Sequence, residues 1–177
     1  MNDRPMGELP SAPYVIDDTL FGEITVRIEG QERVIVSGEN IPTAVLERDP
    51  GCEVDPHIAI GTRDATHLTL TIDGTPSRLR PGKGKLLRQT YRVSAEYDGA
   101  VYVLLPDSIP SSRLTRDGTR LGDFSSDGDE IVIAEWKDGV PTRPADAAIG
   151  YVLSSAFGTG GQPTWMLFAE AVSAVLP

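Results

Sequence analysis

Six positively charged side chains lie close together in the stretch SRLRPGKGKLLRQTYR, residues 77–92, of a chain whose formal net charge is −10. They are Arg78, Arg80, Lys83, Lys85, Arg88 and Arg92. Arginine offers carboxylates and phosphates a bidentate fork, and Gly82 and Gly84 allow backbone N–H groups to approach an anion. The pattern predicts a small binding site for an anionic group. The alternative is that the charged heads are solvated or paired with the protein's own carboxylates.

This basic segment, residues 77–92, has the pattern of a β-hairpin. Residues 81–85, with their two glycines, are predicted as the turn. The arginines on both flanks fall on one strand face, while Leu79, Leu87 and Tyr91 fall on the other, which is expected to be core. Like charges that face each other across a hairpin are destabilising, so the cluster requires nearby acids or an anionic partner.

A second cluster of residues that could bind a metal or act in catalysis lies in DPHIAIGTRDATH. It contains Asp55, His57, Asp64 and His67, which include the only two histidines of the chain. Imidazole with carboxylate is a common ligand set for zinc and iron, but the spacing matches neither H-E-x-x-H nor H-x-H. Strands that start at each histidine would place the two at opposite ends of a hairpin. Two interpretations stay open: a small metal-dependent hydrolase that uses these four residues, and surface or strand-end histidines.

The acidic composition limits the classes of partner. Asp and Glu total 26 against 16 Lys and Arg, which argues against a surface that broadly attracts nucleic acid. Any anion site must therefore be local. Cys52 is the only cysteine, so no intramolecular disulfide can form, and residues 1–18 lack a secretory signal pattern. The expected location is the cytoplasm. No nucleophile motif is present, and we assign no catalytic residue and no cofactor.

Antiparallel strands are the elements that must position these clusters. Asp-Gly, a dipeptide suited to tight hairpin turns, occurs at 73–74, 98–99, 117–118, 127–128 and 138–139. Alternating segments lie between these turns, for example HLTLTI, which places Leu68, Leu70 and Ile72 on one face. A two-residue turn at 98–99 predicts the pairs Tyr97–Ala100, Ala95–Tyr102 and Val93–Leu104.

The carboxyl-terminal part has a helical pattern. Asp146, or Thr142 with Pro144 after it, can cap a helix that ends at about Phe157, and a second helix is expected from Pro163 to about residue 176. The segment FGTGGQP separates two apolar pieces, each shorter than the roughly twenty residues that a membrane span needs, so we expect no membrane span. Both helices are apolar nearly all round and are expected to cover the sheet.

The predicted fold is α+β. Residues 1–20 are expected to be a flexible arm, and residues 21–177 a single β-rich domain with a C-terminal pair of apolar helices at about 144–176. The sheet is mainly an antiparallel meander that forms an open sheet, a sandwich or a partly closed barrel.

One stretch resembles the tubby and LURP-one-like barrels in layout. It consists of LTRDGTRLGDF, then EIVIAEW, then the uncharged AAIGYVLSSAF. The resemblance implies, as an alternative fold, a barrel of antiparallel strands around an apolar C-terminal helix, and the second predicted helix departs from it. Members of that fold class can bind anionic lipid headgroups, which would suit the basic segment.

The function predicted from these patterns is that of a non-enzymatic binding or interaction module. Its basic segment contacts an anionic or acidic partner, and a protein partner or self-association is expected alongside a small anion. Two alternatives remain: the metal-dependent hydrolase, and a structural subunit that assembles through the C-terminal helices.

Overall fold

An antiparallel sheet of eleven strands and one α-helix make up the part of the chain that the computed structural model describes, residues 12–85, 87–108, 110–126 and 131–160. The strands are β1 (Tyr14–Asp18), β2 (Gly22–Glu29), β3 (Arg33–Gly38), β4 (Ile41–Arg48), β5 (Leu68–Ile72), β6 (Thr75–Pro81), β7 (Val93–Tyr97), β8 (Ala100–Ser108), β9 (Ser111–Arg116), β10 (Thr119–Ser126) and β11 (Val132–Trp136). The helix is α1 (Pro144–Phe157), and short 3-10 helices span Ala65–His67 and Arg88–Tyr91.

The strands form a nearly closed barrel. Each strand pairs with the next one along the chain, so spatial order follows sequence order. The last strand returns to the first: the backbone N–H of Val132 donates to the Tyr14 hydroxyl at 3.4 Å. The indole N–H of Trp136 donates to the Asp18 carboxylate at 3.0 Å. The predicted antiparallel meander is confirmed, in the form of the barrel rather than the open sheet or the sandwich.

Asp-Gly turns connect three of the hairpins. Asp73, Asp98 and Asp117 have φ angles of 46°, 49° and 50°, and the glycine after each is also left-handed. Two successive left-handed residues form the turn whose twist matches that of paired strands, so the prediction is confirmed at these positions. The pair at 138–139 instead leads from β11 towards α1, and the pair at 127–128 lies outside the described residues.

The predicted register of the β7–β8 hairpin is confirmed. Its inward pairs are Val93–Leu104, Ala95–Tyr102 and Tyr97–Ala100. All of these residues except Tyr97 are buried, because this face points into the barrel. The alternate residues of β5 that were predicted to be core, Leu68, Leu70 and Ile72, are buried as well.

Helix α1 lies inside the barrel. It contacts strands from both halves of the sheet, β2–β4 and β7–β11, and every residue from Asp146 to Phe157 is buried. A helix with neighbours on every side needs an apolar circumference, which explains why its sequence is apolar all round. The first predicted helix is confirmed. It does not lie over one face of an open sheet, because the strands curl around it.

The predicted pair of helices is not matched, since the described residues contain one α-helix. Residues 163–176, which were assigned to the second helix, lie outside the described part of the chain. None of the helical structure within the described ranges is long and apolar enough to cross a bilayer.

Asp146 fixes the start of α1 against the barrel wall. Its carboxylate accepts hydrogen bonds from the backbone N–H of Arg143 at 2.7 Å and from the Tyr102 hydroxyl at 2.8 Å. It also forms an ion pair with Arg116. Tyr102 lies on β8 and Arg116 on β9, so one buried carboxylate joins the helix to two strands. Burial and the bond to Asp146 raise the pKa of Tyr102 above its ordinary value.

Residues 14–18, which the prediction placed in a flexible arm of residues 1–20, instead form β1. The Asp18 carboxylate accepts hydrogen bonds from the Trp136 indole and, at 2.7 Å, from the Tyr151 hydroxyl of α1. These partners are 118 and 133 residues away in the chain, so no local pattern in YVIDD indicates the strand. Burial and the bond to Asp18 raise the pKa of Tyr151. Residues 1–11 lie outside the described part.

Candidate functional site

The segment between β4 and β5, residues 49–67, forms a loop on the carboxyl-terminal end of α1. Ile60 is fully buried, and its backbone N–H donates to the carbonyl of Ala156 in the helix at 3.0 Å. The loop also closes on itself, because the N–H of Asp55 donates to the Gly61 carbonyl at 2.7 Å. These bonds hold the loop as a defined wall at this end of the barrel.

The basic segment lies in the β6–β7 hairpin, but the turn predicted at residues 81–85 is wrong, because Pro81 pairs with Val93 in the ladder, and the second flank is not extended. Strands β6 and β7 pair, and the chain between them contains the 3-10 helix Arg88–Tyr91. This helix breaks the alternation on which the prediction relied. Leu79 is buried in β6 as expected, whereas Leu87 is 70% exposed, so the prediction of a core position for it is wrong.

The backbone N–H groups of the two glycines in the basic segment already have acceptors. Gly82 donates to the Arg92 carbonyl at 2.7 Å, and Gly84 donates to the Thr90 carbonyl at 2.8 Å. These bonds continue the β6–β7 ladder beyond its last strand residues. The hypothesis that the glycine N–H groups approach an anion is therefore wrong, and the side chains are what the segment can offer.

All six positive side chains of the basic segment are exposed. Arg88 donates to the carbonyl of Asp107 at 2.6 Å, and Arg78 lies opposite Glu96 in the β6–β7 register. None of the six forms an ion pair with a carboxylate of the described ranges. Pairing with the protein's own acids, the alternative raised by the sequence, is not seen for these carboxylates.

An open pocket of about 860 Å³ lies where this loop meets the basic segment. We call it the loop pocket; its walls are residues 52–58, 61–64 and 67 of the loop, with Lys83, Gly84 and Tyr91 of the basic segment. The four residues of the second cluster, Asp55, His57, Asp64 and His67, all line it. The two clusters identified in the sequence therefore meet at one place. Because the β4–β5 connection is a long loop, both histidines lie at the same end of the barrel.

His67 lies between two carboxylates at the loop pocket. Its Nδ1 is 3.5 Å from Asp49 Oδ2, and its Nε2 is 3.9 Å from Asp64 Oδ2. Asp64 also accepts the hydroxyl and the backbone N–H of Thr66, and these bonds hold the pKa of Asp64 below its ordinary value. Within the described ranges, no three His, Cys, Asp or Glu side chains are grouped to hold a metal ion.

Arg63 is the residue of the loop pocket that the sequence did not reveal. Its guanidinium carbon lies 5.0 Å from the ring centre of Tyr91 and 5.5 Å from that of Phe157, the last residue of α1. One of its N–H groups donates to the Gly82 carbonyl at 3.3 Å. Burial lowers the pKa of Arg63. In GTRDAT it has the local context of any loop arginine, and no nearby residue distinguishes it from a solvated one.

Known proteins offer no guide to what this site binds. The antiparallel strands around an apolar helix are observed, and the resemblance to tubby and LURP-one-like barrels stays a prediction. No protein-family model, no curated protein and no solved structure matches the chain.

Proposed function

We propose that this protein is a non-enzymatic binding module that contacts an acidic protein partner through its basic segment. The observation that carries the proposal is the set of six exposed cations that form no ion pair with any described carboxylate, in a chain of net charge −10. Exposed ion pairs within one protein contribute little, so side chains of this kind are free to reorient towards a partner.

Charge asymmetry supports a role in orienting that partner. An acidic surface is repelled by most of this molecule and attracted at one patch, which steers encounters and selects one orientation. Arg78 and Arg80 lie on the outer face of β6, on either side of the inward Leu79. They therefore present two guanidinium groups on a rigid strand. A reducing location such as the cytoplasm suits a chain with one cysteine.

The test compares two variants of equal net charge. One is Arg78→Gln with Arg80→Gln, and the matched control is Arg27→Gln with Lys137→Gln, which removes two exposed cations, one from β2 and one directly after β11. The probe is immobilised poly-L-glutamate, from which each protein is eluted with a NaCl gradient. We expect the first variant to elute at lower salt than wild type and the control to elute with wild type.

Two results would contradict the proposal. If both variants elute at the same salt concentration, and this is lower than for wild type, the effect depends on net charge rather than on the position of the cations. If neither variant differs from wild type, the basic segment does not contact the acidic probe. Each exposed pair is worth about 0–1 kcal/mol, so removing two cations should weaken binding by up to about thirtyfold.

A further inference from the structure

We propose that the loop pocket binds a small zwitterion, with a carboxylate against Arg63 and Lys83 and a cationic amine against Asp55 and Asp64. This site is distinct from the outer face of β6 and shares only Lys83 with the charges of the basic segment. Its test uses other residues than Arg78 and Arg80, so the two proposals can fail independently.

The guanidinium of Arg63 has hydrogen-bonding capacity that its neighbours within the described ranges do not use. It has five N–H donors, of which one donates to the Gly82 carbonyl. The rings of Tyr91 and Phe157 lie near it at 5.0 and 5.5 Å and provide cation–π contacts without accepting conventional hydrogen bonds. No carboxylate among the described residues forms an ion pair with it.

A partly buried cation without an anion is costly, and the remaining planar fork matches a carboxylate or a phosphate. Burial lowers the pKa of Arg63, and no carboxylate of the described ranges pairs with it to compensate. Gly84 is packed closely against it, because a Cβ at this glycine would lie 2.8 Å from Arg63 Nε. The guanidinium is therefore held in position before any ligand arrives.

The acidic lining of the loop pocket favours a carboxylate over a phosphate as the bound anion. Glu53, Asp55 and Asp64 line it together with the cations Arg63 and Lys83. A phosphate dianion would be repelled by three carboxylates, whereas a monoanionic carboxylate joined to an ammonium group would satisfy both signs. Asp55 Oδ1 and Asp64 Oδ1 each accept a backbone N–H, and Asp64 Oδ2 lies 3.9 Å from His67 Nε2.

The size of the loop pocket favours a ligand larger than one amino acid. Its volume of about 860 Å³ is in the range of small-molecule sites, roughly 300–1,000 Å³. Val54 and Ile58 provide apolar lining between the charged groups. A short peptide with both termini free carries the two required charges at its ends and small apolar groups between them.

Isothermal titration calorimetry with tetra-alanine tests the proposal. The free peptide is compared with its C-terminal amide, its N-acetyl derivative and inorganic phosphate. We expect binding of the free peptide, and weakening by about 10- to 100-fold when either terminus is masked, because each mask removes one charge-assisted contact. Equal binding of the amide, tighter binding of phosphate, or no heat from the free peptide at millimolar concentration would overturn the proposal.

Variants assign the contacts to residues. Arg63→Gln and Lys83→Gln should each weaken binding of the free peptide by about 10-fold or more while leaving the amide unaffected. Asp55→Asn with Asp64→Asn keeps the local Oδ1 acceptors and should weaken the free peptide but not the N-acetyl form. Arg63→Lys retains the positive charge without the bidentate guanidinium. Circular dichroism confirms that each variant folds. Lys137→Gln is the control, and a loss of binding equal to that of Lys83→Gln would contradict the assignment.

Discussion

Replacing Gly150 by alanine tests how tightly α1 is packed inside the barrel. Gly150 lies in the middle of the helix, and a Cβ added there would lie 2.2 Å from Phe124 Cζ and 2.8 Å from Phe124 Cε1. Carbon atoms in contact are normally about 3.5–4.0 Å apart. The ring or the helix would therefore have to move by at least about 1.3 Å.

Neither group can move freely. The Phe124 ring is fully buried and makes edge-to-face contacts with Trp136 at 5.6 Å and Tyr151 at 5.2 Å. Overpacking of this kind costs about 1–3 kcal/mol, and an approach this close belongs at the upper end. The better helix propensity of alanine stabilises the folded state by about 1 kcal/mol relative to glycine. The net expectation is that the free energy of unfolding falls by about 2 kcal/mol.

Urea unfolding followed by circular dichroism measures this change, and the melting temperature should fall by about 4–8 °C. The control is Phe124→Leu, which removes the ring edge that the new methyl group meets. In that background Gly150→Ala should cost about 1–2 kcal/mol less, because the two positions are in direct contact. A gain in stability for the single variant, as helix propensity alone predicts, would refute the reasoning.

Two further predictions concern the buried polar groups. Asp146→Asn leaves Arg116 without its counter-charge and should lower the free energy of unfolding by about 3–5 kcal/mol, as measured in urea. Asp123→Asn, at a partly exposed ion pair, should lower it by less than about 1 kcal/mol, and equal losses would count against the difference in burial. Folding raises the pKa of Tyr102 and Tyr151, whereas the unfolded chain ionises them near pH 10, so the stability they contribute is complete below about pH 10 and is lost as the pH rises further. Replacing both by phenylalanine should make the unfolding free energy decline less steeply above about pH 10, and an unchanged slope would show that these hydroxyls are not buried as described.

Local chemistry made the hairpins predictable. An Asp-Gly pair accepts left-handed φ angles at little cost, and a two-residue turn then determines the register of both flanking strands. The Val93–Leu104 and Ala95–Tyr102 pairs follow from that rule and are observed. A longer connection does not determine the register in this way. Between β6 and β7 the chain forms a 3-10 helix, and the Leu87 side chain is exposed.

The candidate site was predictable only in its parts. Both clusters were visible because like residue types are close in sequence, but nothing local shows that the β4–β5 loop and the basic segment face each other. That contact arises because Ile60 anchors the loop to the end of α1, while β6 and β7 occupy the adjoining wall. Arg63 has significance only through Tyr91 and Phe157, and the latter is 94 residues away.

The sequence by itself determined the hairpins at the three Asp-Gly turns, the apolar helix and the local excess of positive charge, because propensity, alternation and charge are properties of neighbouring residues. Only the tertiary structure decided that the sheet closes around the helix, that Tyr14–Asp18 form a strand, and that Arg63 lies partly buried beside two aromatic rings. The physical reason is that these features depend on contacts between distant segments. Burial and pairing of charge, which distinguish a binding group from a solvated one, exist only after those segments meet.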